Sequence, residues 1–207
     1  MNQDTTQKVP VTFYAETTPN PETMKFAANK VLVPYGATVD YQSADDCDEA
    51  PLARALFTFP FVKGVFMSSN FVTVTKEDFI EWDDVVREIR EYLTNYLQAG
   101  QPVFTKPPKT TEHTSEKDGV AEKIKVTATP ENEREEKIIN ILEEYVRPAV
   151  ESDGGAIHFR NFDNGTLTVR LSGACNGCPS STQTLKGGIE NIFKQFMPEV
   201  REVVAEE

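Results

Sequence analysis

The sequence predicts an α+β fold with two small α+β domains joined by a flexible linker. In both halves of the chain, segments with alternating apolar residues occur beside segments with helical apolar spacing. A stretch rich in proline, threonine and lysine separates the halves. The chain has 207 residues, of which 39% are hydrophobic, so each half can bury a core. The predicted limits are 1–99 and 130–207 for the domains and 100–129 for the linker.

Strands and helices are both predicted in the N-terminal domain. Pro51 begins a short helix, since proline is favoured in the first helical turn. From Trp82 to Tyr96, apolar residues recur at i, i+3, i+4 and i+7, which predicts an amphipathic helix beginning near Glu77 or Glu81. The strand-like segments are Val9–Glu16, Met24–Ala28, the strand-rich Val31–Val39, and a hairpin of 65–67 and 71–74 about Ser68–Asn70.

The predicted linker contains little apolar surface. It includes Pro102, Pro107 and Pro108, many threonines and lysines, and only short apolar runs. Burial of so few apolar residues does not offset the entropy lost on ordering. The segment is therefore predicted to be flexible.

In the C-terminal domain, the sequence predicts a first helix from signals at both of its ends. Thr129 is the predicted N-cap and Pro130 the first helical residue. An apolar face continues to about Val150, and Pro148 is expected to strain or end the helix because proline lacks the N–H group that a helix interior needs.

A hairpin and a second helix are predicted to follow. Ile157 and Phe159 alternate with polar residues, as does the segment 167–171, and Asp163-Asn164-Gly165 between them favours a tight turn. The second helix begins at Pro179 and stops at Pro198, and 200–204 form a short last strand.

Charge and hydropathy exclude several classes of protein. The formal net charge is −12 and no basic patch is present, so nucleic-acid binding is not expected, because it requires cationic side chains that neutralise phosphates. The longest mostly apolar stretch, Ala55–Val62, is far shorter than the ~20 residues that span a bilayer. Met1–Pro10 contain no apolar segment of a secretory signal, so a cytoplasmic location is expected.

Cys175 and Cys178 are the candidate functional residues. They lie in the run Gly173-Ala174-Cys175-Asn176-Gly177-Cys178-Pro179, between a predicted strand and a predicted helix. The spacing lets both sulfurs approach one point, and the start of the helix favours the thiolate form that binds metals. Cys47 is distant in sequence and has acidic neighbours on both sides, which raise a thiol pKa and make it a poor ligand.

The residues alone leave four interpretations of this pair. A disulfide or inert pair is disfavoured in a reducing compartment. A thioredoxin-type redox pair also lies at a helix start, but too few residues follow Cys178 for the rest of that fold. Structural zinc and an iron–sulfur cluster both need four ligands, so either would require a second chain. We favour the cluster, because two chains supply four thiolates and an exposed cluster at a subunit boundary suits transfer.

Several runs of residues follow the order found in one known family. In the C-terminal domain they are Arg147-Pro148-Ala149-Val150, Asp153-Gly154-Gly155, 173–181, 184–190 and Pro198-Glu199-Val200. In the N-terminal domain they are 18–26, Pro51-Leu52-Ala53, Gly64-Val65-Phe66, 71–76 and Trp82. Through these runs the chain resembles the Nfu family of iron–sulfur carriers, which combine an Nfu N-terminal domain with a NifU-like C-terminal domain.

The resemblance implies iron–sulfur cluster assembly and delivery. A [4Fe–4S] cluster would be bridged between two protomers by Cys175 and Cys178 of each, so that the cluster-bound form is a homodimer. The implied partners are cluster or sulfur donors and apo iron–sulfur proteins. No catalytic turnover is implied, and the protein is not expected to be an enzyme. The alternative is a thiol–disulfide oxidoreductase that uses the same pair.

The other candidate residues are expected to be structural. His158 lies on the polar side of an alternating strand and is expected to be an ordinary surface histidine, while His113 in the linker is expected to be solvated. Asp153-Gly154-Gly155 is expected to form a turn, because glycines supply backbone freedom. Many Nfu relatives have Asp at the position of Ala156, and this difference is expected to affect that turn.

Overall fold

The computed structural model describes residues 10–34, 36–107, 132–176 and 179–206. Within these ranges the chain forms two sheets, each with its own helices and its own buried core. The predicted α+β class with two small domains is confirmed. The predicted domain limits remain a proposal, because most of the linker, including His113, lies outside the described residues.

The N-terminal domain is an antiparallel sheet with helices on one face. In the order β1-β2-β5-β4-β3, its described strands are β1 (Phe13–Thr17), β2 (Thr23–Ala28), β5 (Phe71–Lys76), β4 (Val62–Ser68) and β3 (Thr38–Tyr41). The helices are α1 (Pro51–Leu56) and α2 (Trp82–Gln98), and their apolar side chains pack with those of the strands in one core. The predicted hairpin, the short helix and the amphipathic helix are confirmed.

One strand prediction in this domain is largely wrong. Among the described residues from 31 to 41, which omit residue 35, only Thr38–Tyr41 form a strand. Leu32 and Val33 are buried, and their backbone N–H groups both donate to the carbonyl oxygen of Ser69, at 2.8 and 2.9 Å. Their apolar character therefore reflects packing of a loop against the β4–β5 turn rather than strand pairing.

The beginning of the predicted linker packs on the N-terminal domain. Val103 and Phe104 are partly buried against its core, and the N–H of Thr105 donates to the carbonyl oxygen of Glu49 at 2.8 Å. Residues 100–107 are thus held by contacts that their composition did not indicate.

The C-terminal domain is a three-stranded sheet with helices on one face. Its described elements are α3 (Glu133–Ile141), a π-helical turn (Leu142–Val146), α4 (Arg147–Ser152), β6 (Gly155–Asp163), β7 (Thr166–Gly173), α5 (Pro179–Phe196) and β8 (Glu202–Glu206). β6 and β7 form the predicted hairpin, with positive φ at Asn164 and Gly165. β8 pairs in parallel with β7. Among the described helices, none is long and apolar enough to cross a membrane.

The first helix of this domain differs from its prediction at both ends. Thr129 and Pro130 lie outside the described residues, and the N-cap is Asn132, whose side chain accepts from the N–H groups of Arg134 and Glu135. Pro148 does not end the helix, but the expected local disturbance is present. The π-helical turn precedes it and α4 begins at Arg147, so Pro148 occupies a first helical turn, where no N–H donor is needed.

The two sheets meet through faces that their helices leave uncovered. On β4 and β5, Phe66 and Phe71 point away from the N-terminal core and form a separate buried cluster with Ala156 of β6. The prediction that Ala156 affects a turn is wrong, since this residue lies within a strand and is fully buried.

His158 also lies in this contact, so the prediction of an ordinary surface histidine is wrong. Its Nε2 is 3.2 Å from Thr38 Oγ1 of β3. Burial lowers the pKa of His158 from 6.5 to about 4, and the charges of Arg147, Arg160 and Arg170 act in the same direction. Strand alternation placed His158 opposite the core of its own domain, but it did not indicate that the other domain covers this face.

We expect acid to weaken this packing through His158. The unfolded chain binds a proton at His158 below pH 6.5, whereas the folded chain does so only near pH 4. Stability from neutral His158 is therefore fully present above pH 6.5 and is lost between pH 6.5 and 4, by up to ~1.4 kcal/mol per pH unit. Urea unfolding at several pH values should show a smaller pH dependence in the His158→Gln chain, which cannot titrate there. An imidazole NMR titration with a midpoint near 6.5 would contradict this expectation.

Candidate functional site

Cys175 lies in the turn between the end of β7 and the start of α5. β7 ends at Gly173, whose φ of +64° is a conformation that favours glycine. The N–H of Asn176 then donates to the carbonyl oxygen of Gly173 at 3.1 Å, and α5 begins at Pro179. This position agrees with the predicted placement of the cysteine between strand and helix. The other predicted ligand, Cys178, lies outside the described residues.

Gly155 makes room for the sulfur of Cys175. A Cβ atom at Gly155 would lie 2.6 Å from Cys175 Sγ and 2.7 Å from the carbonyl oxygen of Ser172. Both distances are too short for any side chain, so the first residue of β6 must be glycine while Cys175 keeps this position. Gly154 before it is the turn residue, with φ of +81°.

The packing of Gly155 against Cys175 was missed by the sequence interpretation, which assigned both glycines to a turn. Only Gly154 has a positive φ among the two. Glycine at the start of a strand, directly after a turn glycine, is itself a signal of close backbone approach. That signal indicates that something packs there, but it does not indicate which residue.

Cys175 is buried in the single chain. Its exposed fraction is 3%, and it belongs to the apolar core of the C-terminal domain. An open groove of about 430 Å³ runs beside it, between the π-helical turn, α4 and α5. The groove is mostly apolar. Its lining includes Leu185 and Ile189 of α5 and also Pro19 of the N-terminal domain. Residues of both domains thus border the groove on which Cys175 lies.

The described residues do not supply a complete metal site. No group of three or more His, Cys, Asp or Glu side chains is placed to hold a metal ion within 10–34, 36–107, 132–176 and 179–206. His158 is engaged with Thr38 in the interdomain packing. Burial and, next, the charge of Asp46 raise the pKa of the Cys47 thiol from 9.0 to about 12, which agrees with the predicted poor ligand.

Sequence comparisons match the two domains to two family descriptions. "Scaffold protein Nfu/NifU N terminal" matches residues 13–100, and "NifU-like domain" matches residues 138–204. The solution NMR structure of a NifU-like protein from Saccharomyces cerevisiae covers 51% of this chain and 95% of its own, with a TM-score of 0.43 and 21% identity.

Curated relatives extend over nearly the whole chain. NifU-like protein 5, mitochondrial, of Arabidopsis thaliana is 36% identical over 195 residues, which is 92% of this chain and 66% of that protein. NFU1 iron-sulfur cluster scaffold homolog, mitochondrial, of Drosophila willistoni is 32% identical over 186 residues, 90% of this chain and 60% of that protein. The chain thus spans 60% to 66% of the length of these two relatives. With an Nfu N-terminal domain followed by a NifU-like domain that places Cys175 between β7 and α5, this chain belongs to the Nfu/NifU-like family.

Proposed function

We propose that this protein is an iron–sulfur cluster carrier that holds a [4Fe–4S] cluster between two chains and delivers it to apoproteins. The observation that carries the proposal is the position of Cys175 in the turn before α5 of the NifU-like domain, in a chain whose described residues hold no complete metal site. Cys175 and Cys178 of each chain are the proposed ligands. Relatives are named as iron-sulfur cluster scaffold homologues, which supports the class of cargo.

The chemistry of the ligands suits such a cargo. Cysteine thiolates are the usual ligands of iron–sulfur clusters, and four of them complete the coordination of a [4Fe–4S] cluster. One chain would offer two of the four, so a second copy would have to complete the site. α5 begins at Pro179, and the N-terminal end of a helix carries a partial positive charge, which stabilises nearby thiolates and an anionic cluster.

Transfer would proceed by exchange of thiolate ligands. A cysteine thiol of the acceptor loses its proton and bonds to iron, and the sulfur of Cys175 or Cys178 leaves the same iron and takes up a proton. Repetition of this step moves the intact cluster without oxidation or reduction. The carrier itself undergoes no turnover chemistry, so it is not an enzyme in this proposal. Its cytoplasmic location stays a prediction.

Anaerobic reconstitution with iron and sulfide tests the proposal. We expect brown colour, iron and sulfide equal to about one cluster per two chains, and a dimeric mass by sedimentation. Cys175→Ala or Cys178→Ala should abolish all three, because each removes two of the four ligands from the dimer. Cys47→Ser is the matched control and should load normally, since Cys47 is buried in the other domain.

The alternative function gives the opposite outcome in the same experiment. A thiol–disulfide oxidoreductase with the same pair would stay colourless and monomeric and would reduce a disulfide substrate such as insulin. A colourless monomer with both thiols reduced would therefore overturn the carrier proposal.

We also expect Gly155 to be required for the position of Cys175. In Gly155→Ala, the added methyl group must displace Cys175 Sγ or the Ser172 carbonyl, which should destabilise the C-terminal domain by about 1–3 kcal/mol and reduce cluster loading. Unfolding in urea should be followed through NMR signals of β6 and β7, because the only tryptophan, Trp82, lies in the other domain.

Gly187→Ala is the control for this substitution. A Cβ atom at Gly187 meets nothing within 4 Å, and alanine favours helix, so stability should rise by about 0.5–1 kcal/mol with unchanged loading. Equal stability and equal loading of the Gly155→Ala chain would show that the contact with Cys175 does not constrain the site.

A further inference from the structure

An apolar contact joins the two domains directly beside residues 174–176, the described part of the turn that carries Cys175 and is called the cysteine loop below. Phe66, Phe71 and Ala156 are 3%, 2% and 0% exposed and pack together. The ring of Phe66 also lies over Gly173, the last residue of β7, where a Cβ atom would be only 2.6 Å from the ring. The N-terminal domain therefore covers the outer face of the hairpin that leads into the cysteine loop.

Two side chains of the N-terminal domain donate hydrogen bonds to the backbone around Cys175. Asn20 Nδ2 donates to the carbonyl oxygen of Ala174, the residue immediately before the cysteine, at 3.2 Å. Thr73 Oγ1 donates to the carbonyl oxygen of Gly154 at 2.7 Å. Both bonds are buried, so losing either donor leaves a buried carbonyl group without that partner.

The amide of Asn20 is oriented by its own domain. Asn20 Oδ1 accepts from the backbone N–H of Glu22 at 3.0 Å, and this bond leaves the Nδ2 group to face the cysteine loop. The neighbouring Pro19 lines the groove beside Cys175. The turn between β1 and β2 is thus held in the shape that contacts the loop.

We propose that the N-terminal domain is an intramolecular cover of the cysteine loop, which shields Cys175 in the cluster-free chain and must separate from the β6–β7 hairpin before a second chain can bring its sulfurs near. The shielding is a property of the single chain. Only the need for the domains to separate rests on the proposed function, since a shared cluster requires thiolates of both chains to bind irons of the same cluster.

The contact between the two domains is of a kind that can separate and re-form. Each domain has its own core, so neither needs the other to bury its central apolar residues. The shared apolar cluster is small, and interfaces of this kind between domains commonly open. Residues 108–131 connect the domains and can span at most ~80 Å when fully extended, which is ample for separation.

The cover is tested by the rate at which N-ethylmaleimide alkylates Cys175. The full-length chain carries Cys178→Ser, so that the loop has one thiol, and contains no iron or sulfide. In the Phe66→Glu chain we expect alkylation of Cys175 to be faster by about tenfold or more, because a carboxylate against Phe71 and Ala156 strongly favours separated domains. Peptide mass spectrometry assigns the modified cysteine.

Tyr14→Glu is the matched control. Tyr14 pairs with Ala27, which pairs with Phe71, so it lies on the same face of the sheet as the contact, but it is 63% exposed on the edge strand. The same aromatic-to-glutamate change there should leave the alkylation rate within about twofold. Circular dichroism verifies folding, and small-angle X-ray scattering should show a larger radius of gyration only for the Phe66→Glu chain.

A second variant tests the cover without removing an aromatic ring. Asn20→Asp keeps the acceptor for the N–H of Glu22 but places an oxygen against the carbonyl of Ala174. Alkylation of Cys175 should accelerate by about fivefold or more. If the Phe66→Glu chain unfolds, the Asn20→Asp chain provides the test. An unchanged rate of Cys175 alkylation in that chain then overturns the proposal.

Other outcomes also distinguish the two proposals. If Phe66→Glu separates the domains while Cys175 still reacts slowly, the C-terminal domain alone shields the sulfur and the cover is refuted. If the domains of the Phe66→Glu chain stay together, the Asn20→Asp chain decides, and an unchanged alkylation rate in that chain refutes the cover. Failure of every chain to take up iron and sulfide would overturn the carrier function, but it would leave the alkylation result intact.

Discussion

The carbonyl oxygen of Gly154 connects the cysteine loop, the C-terminal sheet and the N-terminal domain. It accepts from the N–H of Ala174 at 3.2 Å and from Thr73 Oγ1 at 2.7 Å. A carbonyl oxygen has two lone pairs, so both bonds form together. β6 begins one residue later, at Gly155, against which Cys175 packs. The position of the cysteine thus depends on a backbone segment that is too crowded to carry side chains.

The crowded backbone at Gly154 and Gly155 would help a carrier to present its ligands. Backbone contacts at Gly155 hold the sulfur of Cys175 in place, so it would keep a reproducible position if the N-terminal domain separated. Under the proposed function, two chains are needed to complete one coordination shell, so cluster affinity depends on chain concentration and on any competing contact at the loop. The N-terminal domain makes such a contact through Asn20 and Phe66. Holding and releasing the cluster would then be coupled to the arrangement of the domains.

Local patterns in the sequence were sufficient for most elements. The alternation about Ile157, the turn at Asn164-Gly165 and the apolar spacing in α2 each depend on neighbours along the chain, and each is confirmed. The strand-rich prediction for 31–39 was largely wrong because apolar residues also fill loops that pack on a core. Pro148 was expected to strain or end its helix, and the π-helical turn before it is such a disturbance, although the helix does not end.

The sequence by itself determined the class of fold, the two domains and the location of Cys175 between a strand and a helix, because these follow from short-range periodicity and turn chemistry. Only the tertiary structure decided which surfaces are covered. Ala156 and His158 alternate out of their own core, yet Ala156 packs against Phe66 and Phe71 of the other domain, and His158, beside Thr38, has a pKa lowered by burial. Gly155 matters because Cys175 folds back onto it from 20 residues further along the chain. Contacts between distant segments depend on packing geometry, which no local pattern encodes.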